Sequence, residues 1–158
     1  MKSLQQWFDE YGESHQNPTN KLIHWLCVPT IFICAVGLLS LIPFPSLVST
    51  AEHMKPFAHT GSVALVLVLL FYLRHSINMA LAMKLFSILV LWLISLVNAN
   101  FAKPFVIYIS LFALAWVGQF YGHRIEGKKP SFFKDIQFLL IGPAWLMGFI
   151  FRKVGLHF

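Results

Sequence analysis

Long apolar runs alternate with short polar patches along the chain, and five runs can be marked: Ile23 to Pro43, Phe57 to Leu73, Met79 to Val97, Phe105 to Tyr121 and Ile136 to Phe151. Such runs approach the ~20 residues that a helix needs to cross a hydrocarbon core. The uninterrupted cores of the second and third, Gly61 to Leu73 and Leu85 to Val97, are short for a bilayer. Arg74 and Lys84 are therefore expected at helix ends, snorkelling to the headgroups. The fifth run contains Gly142-Pro143, which predicts a kink or a re-entrant turn. The expected fold is all-α: a polytopic helical bundle of four spanning helices plus a fifth kinked or re-entrant segment. No repeat, low-complexity tract or linker divides it, so residues 1–158 form one membrane-embedded domain.

Composition supports this reading and removes alternatives. Hydrophobic residues make up 58% of the 158 positions and charged residues only 11%, with a mean hydropathy of +0.70, whereas soluble domains carry about 25% charged residues. The net charge of +6 is spread over the ends of apolar runs and forms no basic stripe with interleaved aromatics, so no nucleic-acid partner is expected. These cations read instead as topology signals and contacts to membrane lipids. Met1 to Asn20 carries Asp9, Glu10 and Glu13 and lacks the pattern of a cleavable signal, so the first apolar run is expected to be retained. Cys27 and Cys34 lie seven residues apart in one run, about 10 Å along a helix axis, too far for a disulfide and suited to buried packing.

Orientation follows from the lysines and arginines. If all five segments cross, eight of these cations fall on the N-terminal side and four on the other; if the last segment turns back, the split becomes ten to two. The positive-inside rule then places the N-terminus in the cytoplasm and favours four crossings with both termini inside. A bacterial inner membrane suits such a chain, or an endoplasmic reticulum in a eukaryote. The oligomeric state, including a homo-oligomer, is left open.

The same topology gathers His15, His24, His75 and His123 at the cytoplasmic end, places His53 and His59 at the opposite one, and leaves His157 with the C-terminus. Clustered imidazoles beside Glu126 could supply a metal site; solvated interfacial histidines explain their positions equally well. Local spacing adds information in two places. In His15-Gln16-Asn17-Pro18-Thr19-Asn20-Lys21-Leu22-Ile23-His24, Pro18 suits the first helical position and Asn17 the N-cap. Asn20 and His24 then face the same way, and His15 can fold back over the first turn. At the end of the fourth run, Gln119, His123 and Glu126 form one stripe at i, i+4 and i+7 if the helix continues past Gly122. A His-x-x-Glu pair can offer one nitrogen and one oxygen ligand, although a polar helix end has the same pattern. Together the two segments resemble a two-histidine, one-carboxylate Fe(II) site, and zinc fits the same ligand types. HExxH, Walker A, GxGxxG and GxSxG motifs are absent, which argues against hydrolase and nucleotide-driven chemistry. A proton or ion transporter finds no ionisable residue at mid-span.

The motifs H-x-N-P-x-N-K-L-I-H-x-x-C-V-P, from His15 to Pro29, and Q-F-x-G-H-R-x-E-G-K-K-P, from Gln119 to Pro130, resemble the family of small fungal and bacterial membrane proteins that convert phytosphingosine into odd-numbered fatty acids. The resemblance runs over essentially the whole chain and includes the late Leu140-Ile141-Gly142-Pro143. It implies an Fe(II)-dependent dioxygenase that takes a 2-hydroxy fatty acid and O₂ to the acid one carbon shorter plus carbon dioxide. His15, His24 and His123 fall on the family's histidines and Glu126 on its glutamate, making them the expected catalytic and metal-binding set. Asn20 and Gln119 are expected to orient imidazoles or substrate oxygens, and Arg124, Lys128 and Lys129 could attract the substrate carboxylate. Ser131 replaces an expected Ala. Phe149 stands where an acidic residue is frequent, so no carboxylate is expected from the fifth segment. The competing class is a non-enzymatic membrane scaffold or lipid-binding module, whose function would survive metal removal and histidine substitution.

Overall fold

The computed structural model describes residues 2–44, 57–127 and 138–157, and its regular elements are helices: α1 (Leu4–Gly12), α2 (Pro18–Ser40), α3 (Thr60–Leu73), α4 (Ile77–Asn100), α5 (Pro104–Glu126) and α6 (Ile141–Lys153). His53, Lys128, Lys129, Ser131 and the first residues of the fifth run lie outside the described residues.

Three of these helices, α2, α4 and α5, are long and apolar enough to cross a membrane. With 23, 24 and 23 residues, each extends roughly 35 Å at 1.5 Å per residue. The third apolar run thus gains length that its core alone did not suggest. Ser76 caps α4 by accepting from the Met79 N–H at 3.1 Å, so the helix starts early and Lys84 sits two turns inside it. Helix α3, by contrast, has 14 residues, about 20 Å. His59 fixes its start, accepting at Nδ1 from the Ser62 N–H at 3.1 Å, and the Arg74–Ser76 turn ends it.

The outward faces are as apolar as the inward ones. On α4, Met79, Met83, Val90 and Ile94 are buried, while Leu81, Leu85, Ile88, Trp92 and Leu96 point outward, with Leu85 70% exposed. A helix apolar all round needs an apolar surrounding on its outer face too. Helices α2 and α5 form the most extensive pair and run antiparallel. Glycines permit the close approach: a Cβ at Gly37 would meet the Tyr108 ring at 2.5 Å, and one at Gly118 would meet Cys27 Sγ at 2.7 Å. Both cysteines are free and buried, as expected. At the far end of the bundle, Asn98 donates to Ser40 Oγ (3.0 Å) and Tyr108 donates to Asn98 Oδ1 (2.9 Å).

Two further elements depart from the sequence expectation. Helix α1 was not anticipated. Its capping box joins Ser3 and Gln6, and Leu4, Phe8 and Tyr11 form a buried stripe that contributes to one core with Trp145 and Leu146 of α6. The Gly142-Pro143 pair produces no kink within a longer helix, because it occupies the first turn of α6, where a missing N–H costs little. That turn is deep. A Cβ at Gly142 would meet Val28 at 2.8 Å, Tyr72 donates to the Leu140 carbonyl, and Leu139 packs against the cluster of Phe32, Val36 and Val90. Beyond the other end of α6, the His157 carbonyl accepts from Asn78 Nδ2 at the start of α4 (2.8 Å).

Candidate metal centre

The short polar segment between α1 and α2 carries half of the site. Asn17 caps α2, its Oδ1 accepting from the N–H groups of Thr19 (2.9 Å) and Asn20 (3.3 Å), with Pro18 in the first turn as the sequence predicts. The cap fixes where α2 begins and therefore where Asn20 and His24, one turn apart, point. His15 precedes the cap, held by its N–H to the Gly12 carbonyl (3.0 Å) and by its ring, stacked on Tyr11 with centroids 4.2 Å apart. Helix α5 brings His123 against both.

His15, His24 and His123 each offer a ligand nitrogen, and these atoms lie within 4.8 Å of one another. The three side chains are 2%, 1% and 4% exposed, so the cluster is sealed from bulk solvent. His15 Nδ1 faces the Tyr11 carbonyl at 2.6 Å and His24 Nδ1 the Asn20 carbonyl at 2.9 Å. A carbonyl only accepts, so each Nδ1 carries the proton and each Nε2 keeps its lone pair. Those two Nε2 atoms are buried without a hydrogen-bond partner, a costly arrangement. A divalent ion that prefers imidazole would satisfy them, and the backbone carbonyls behind the rings are the partners that metal-binding histidines use to fix tautomer and orientation. Burial, the largest cause, pushes the His15 pKa down to about 4; the Tyr11 carbonyl opposes it, and His123 adds to the lowering. His15 is consequently neutral near pH 7, the state a ligand requires.

Glu126 stands outside that group of three. Its carboxylate accepts from the N–H groups of Gln16 (2.7 Å) and Asn17 (2.9 Å) and from Asn20 Nδ2 (3.0 Å). It therefore sits over the N-terminus of α2, where unpaired N–H groups and the helix dipole favour an anion. Asn20, fully buried, is the link: its amide also donates to the Ser14 carbonyl (3.2 Å), and its own carbonyl holds His24. Gly122 leaves room for it, since a Cβ there would overlap Asn20 Oδ1. Gln119 is buried and lines a cavity of about 10 Å³ with Tyr11, Val28 and Trp116, room for roughly one water.

His75 and His59 separate from the site. His75 is half-buried, tied to the Phe71 carbonyl at 2.8 Å and packed on the Phe71 ring, and His59 caps α3 at the far end. Sequence reasoning missed Tyr11 and Trp145, whose rings lie 4.2 and 5.4 Å from His15. Only the helical register of α1 carried a sign of the first. An open cleft of about 400 Å³ reaches His15, with α1, Lys21, Trp145, Phe149 and Arg152 in its walls.

An all-helical bundle with membrane-length apolar helices and a buried cluster of three imidazoles at one end is a candidate membrane metalloprotein. The chain belongs to the 2-hydroxy-palmitic acid dioxygenase Mpo1-like family, whose profile matches residues 1–154. It is similar to the 2-hydroxy-palmitic acid dioxygenase MPO1 of Saccharomyces cerevisiae (strain ATCC 204508 / S288c), with 27% identity over 148 residues that cover 92% of this chain and 78% of that protein. No solved structure matches.

Proposed function

We propose that this protein is an Fe(II)-dependent dioxygenase of the membrane, oxidising long-chain 2-hydroxy fatty acids to the acid one carbon shorter. The observation that carries the reading is the convergence of His15, His24 and His123, dry and two of them with fixed tautomers, in a chain of this family. Converting R-CH(OH)-COOH and O₂ to R-COOH, carbon dioxide and water moves four electrons, the number one O₂ accepts, so no second oxidisable co-substrate is needed. Bound iron would supply the O₂ chemistry, with the three imidazoles as its protein ligands. The chain's other residues act around it. The Tyr11 and Asn20 carbonyls hold the imidazoles in the binding tautomer, and the Tyr11 and Trp145 rings pack against His15. Glu126, expected from the resemblance to be a ligand, is assigned here to positioning: it holds the α1–α2 connection and Asn20.

The contacts support a membrane arrangement. Helices α2, α3, α4 and α5 alternate in direction, with α3 as a short fourth crossing. Helix α6 starts deep beside Val28 and emerges on the side where α2 and α4 begin, which fits a re-entrant segment and both termini on one side. That side carries the histidine cluster and, by the charge distribution, faces the cytoplasm. A bacterial inner membrane is the proposed location.

The test is metal content of the detergent-purified protein, anaerobic Fe(II) loading, and O₂ uptake with a long-chain 2-hydroxy fatty acid. Stoichiometric iron, with O₂ consumed and carbon dioxide released only when the 2-hydroxyl is present, is the expected result. A folded protein that takes up no metal and consumes no O₂ would overturn it in favour of a lipid-binding scaffold.

A further inference from the structure

Helix α6 presents two different faces to two different spaces. Trp145, Phe149 and Arg152, at i, i+4 and i+7, line the cleft that reaches His15. Pro143, Leu146 and Ile150, at i, i+3 and i+7, line an apolar groove of about 180 Å³ completed by Trp25, Pro29 and Phe86. The two spaces meet along one seam. The Trp25 and Phe149 rings are 6.3 Å apart, and Trp145 stands edge-on to Phe149 at 4.6 Å.

The cleft is polar and charged. Lys21 and Arg152 contribute its cations, Asp9 and Glu13 its anions. Among the described residues the one ion pair is Lys2–Glu10, so neither Lys21 nor Arg152 is paired with a carboxylate of those residues. Asp9 accepts from Gln5 Nε2 at 2.7 Å, while the Arg152 guanidinium lies 4.7 Å from the centre of the Phe149 ring. A cation held over the ring that divides the polar cleft from the apolar groove is placed for an amphiphile with an anionic head and an apolar tail.

We propose that Arg152, assisted by Lys21, binds the carboxylate of a free long-chain fatty acid at the mouth of the histidine cluster, and that its acyl chain crosses Phe149 into the groove between α2, α4 and α6. The substrate of the proposed reaction is then the free acid, entering sideways from the lipid. This assignment rests on the dioxygenase reading for its meaning, but the site itself can be tested without metal. It also moves carboxylate recognition away from Arg124, which is exposed on α5, to a residue of α6 that the charge pattern alone did not single out.

The experiment titrates metal-free, full-length protein in detergent with a brominated long-chain fatty acid and, separately, with its methyl ester, reading the quenching of tryptophan fluorescence. Trp145 in the cleft and Trp25 in the groove are the reporters. Arg152→Ala should weaken binding of the acid about tenfold, the loss of one charge-assisted contact at an exposed position. Arg152→Lys should recover most of that, and the ester should bind all forms alike. In the iron-loaded protein, Arg152→Ala should raise KM by a similar factor with kcat little changed. Ile150→Trp, which fills the groove, should weaken acid and ester together. Equal affinities of wild type and Arg152→Ala for the acid would overturn the proposal, as would equal losses for acid and ester in Arg152→Ala. Selective acid binding in a protein that consumes no O₂ when loaded would leave this site standing and remove the dioxygenase reading.

Discussion

Replacing Glu126 by glutamine separates a metal ligand from a positioning carboxylate. In the structure its two oxygens accept from the Gln16 and Asn17 N–H groups and from the Asn20 amide, at 2.7, 2.9 and 3.0 Å. Glutamine keeps one acceptor oxygen and turns an NH₂ group toward the remaining donors. At least one charge-assisted bond is lost, at about 1.5–3 kcal/mol. The charge over the N-terminus of α2 goes with it, at about 0.3–1 kcal/mol for a half-exposed group. The α1–α2 connection should thus loosen by about 2–4 kcal/mol. Because His15 sits on that connection and Asn20 holds His24, the effect reaches the metal indirectly. Metal affinity should drop roughly 10–100-fold, the range for groups that orient ligands, whereas His123→Ala should abolish binding. The assay is a competitive metal titration of both variants, paired with amide hydrogen exchange, in which Gln16 and Asn17 should lose protection. Complete loss of metal binding in Glu126→Gln would show the carboxylate to be a ligand, and unchanged affinity and exchange would show that it positions nothing.

Other perturbations follow from the same geometry. Gly122→Ala forces a Cβ into fully buried Asn20, so it should cost about 1–3 kcal/mol of stability and lower metal affinity as well. Gly118→Ala, pressed against Cys27, should lower thermal stability alone; equal metal loss in both would refute the Asn20 link. His59→Ala removes the α3 cap and should cost about 1 kcal/mol without altering metal content, read by metal analysis alongside a melting curve. The metal-free protein should lose stability as pH falls. His15 titrates near 6.5 unfolded and about 4 folded, so the unfolded chain binds the extra proton between those values. The His15 contribution is full above about pH 6.5, declines toward pH 4 by about 3 kcal/mol and levels off below. Denaturant unfolding of wild type and His15→Gln should show that difference in slope, and identical pH profiles would contradict the burial of a neutral His15.

The polar chemistry was legible because it is local. Asn17-Pro18 announces the start of α2, and Asn20 and His24 share a face once that start is known. Alternating apolar runs put His15, His24 and His123 at one end, and with them His75, which the structure holds apart. What could not be read was whatever depends on how segments meet. The His123-x-x-Glu126 spacing suggests two ligands on one face, yet the antiparallel packing of α5 on α2 delivers Glu126 to a helix N-terminus while His123 meets the other imidazoles. Helix α1 hid behind its acidic residues and short length, although Ser3-x-x-Gln6 and the Leu4, Phe8, Tyr11 stripe were present in the sequence.

Stability and chemistry are joined at the same few atoms. A buried imidazole with an unpartnered Nε2 is an expense that the apolar spans must cover, and the bundle carries two of them within 4.8 Å of a third histidine's ligand atom. Nothing in insertion or helix packing requires that, because alanine or leucine would fill the same interior at lower cost. The backbone carbonyls of Tyr11 and Asn20 make the arrangement tighter still: by taking the Nδ1 protons they prevent the rings from turning to satisfy Nε2 internally. A cation placed between them would relieve the cost of lone pairs pointed at one another in a buried interior. For this chain, metal binding and tertiary stability should therefore rise together, which links the candidate chemistry to the fold through His15, His24 and His123.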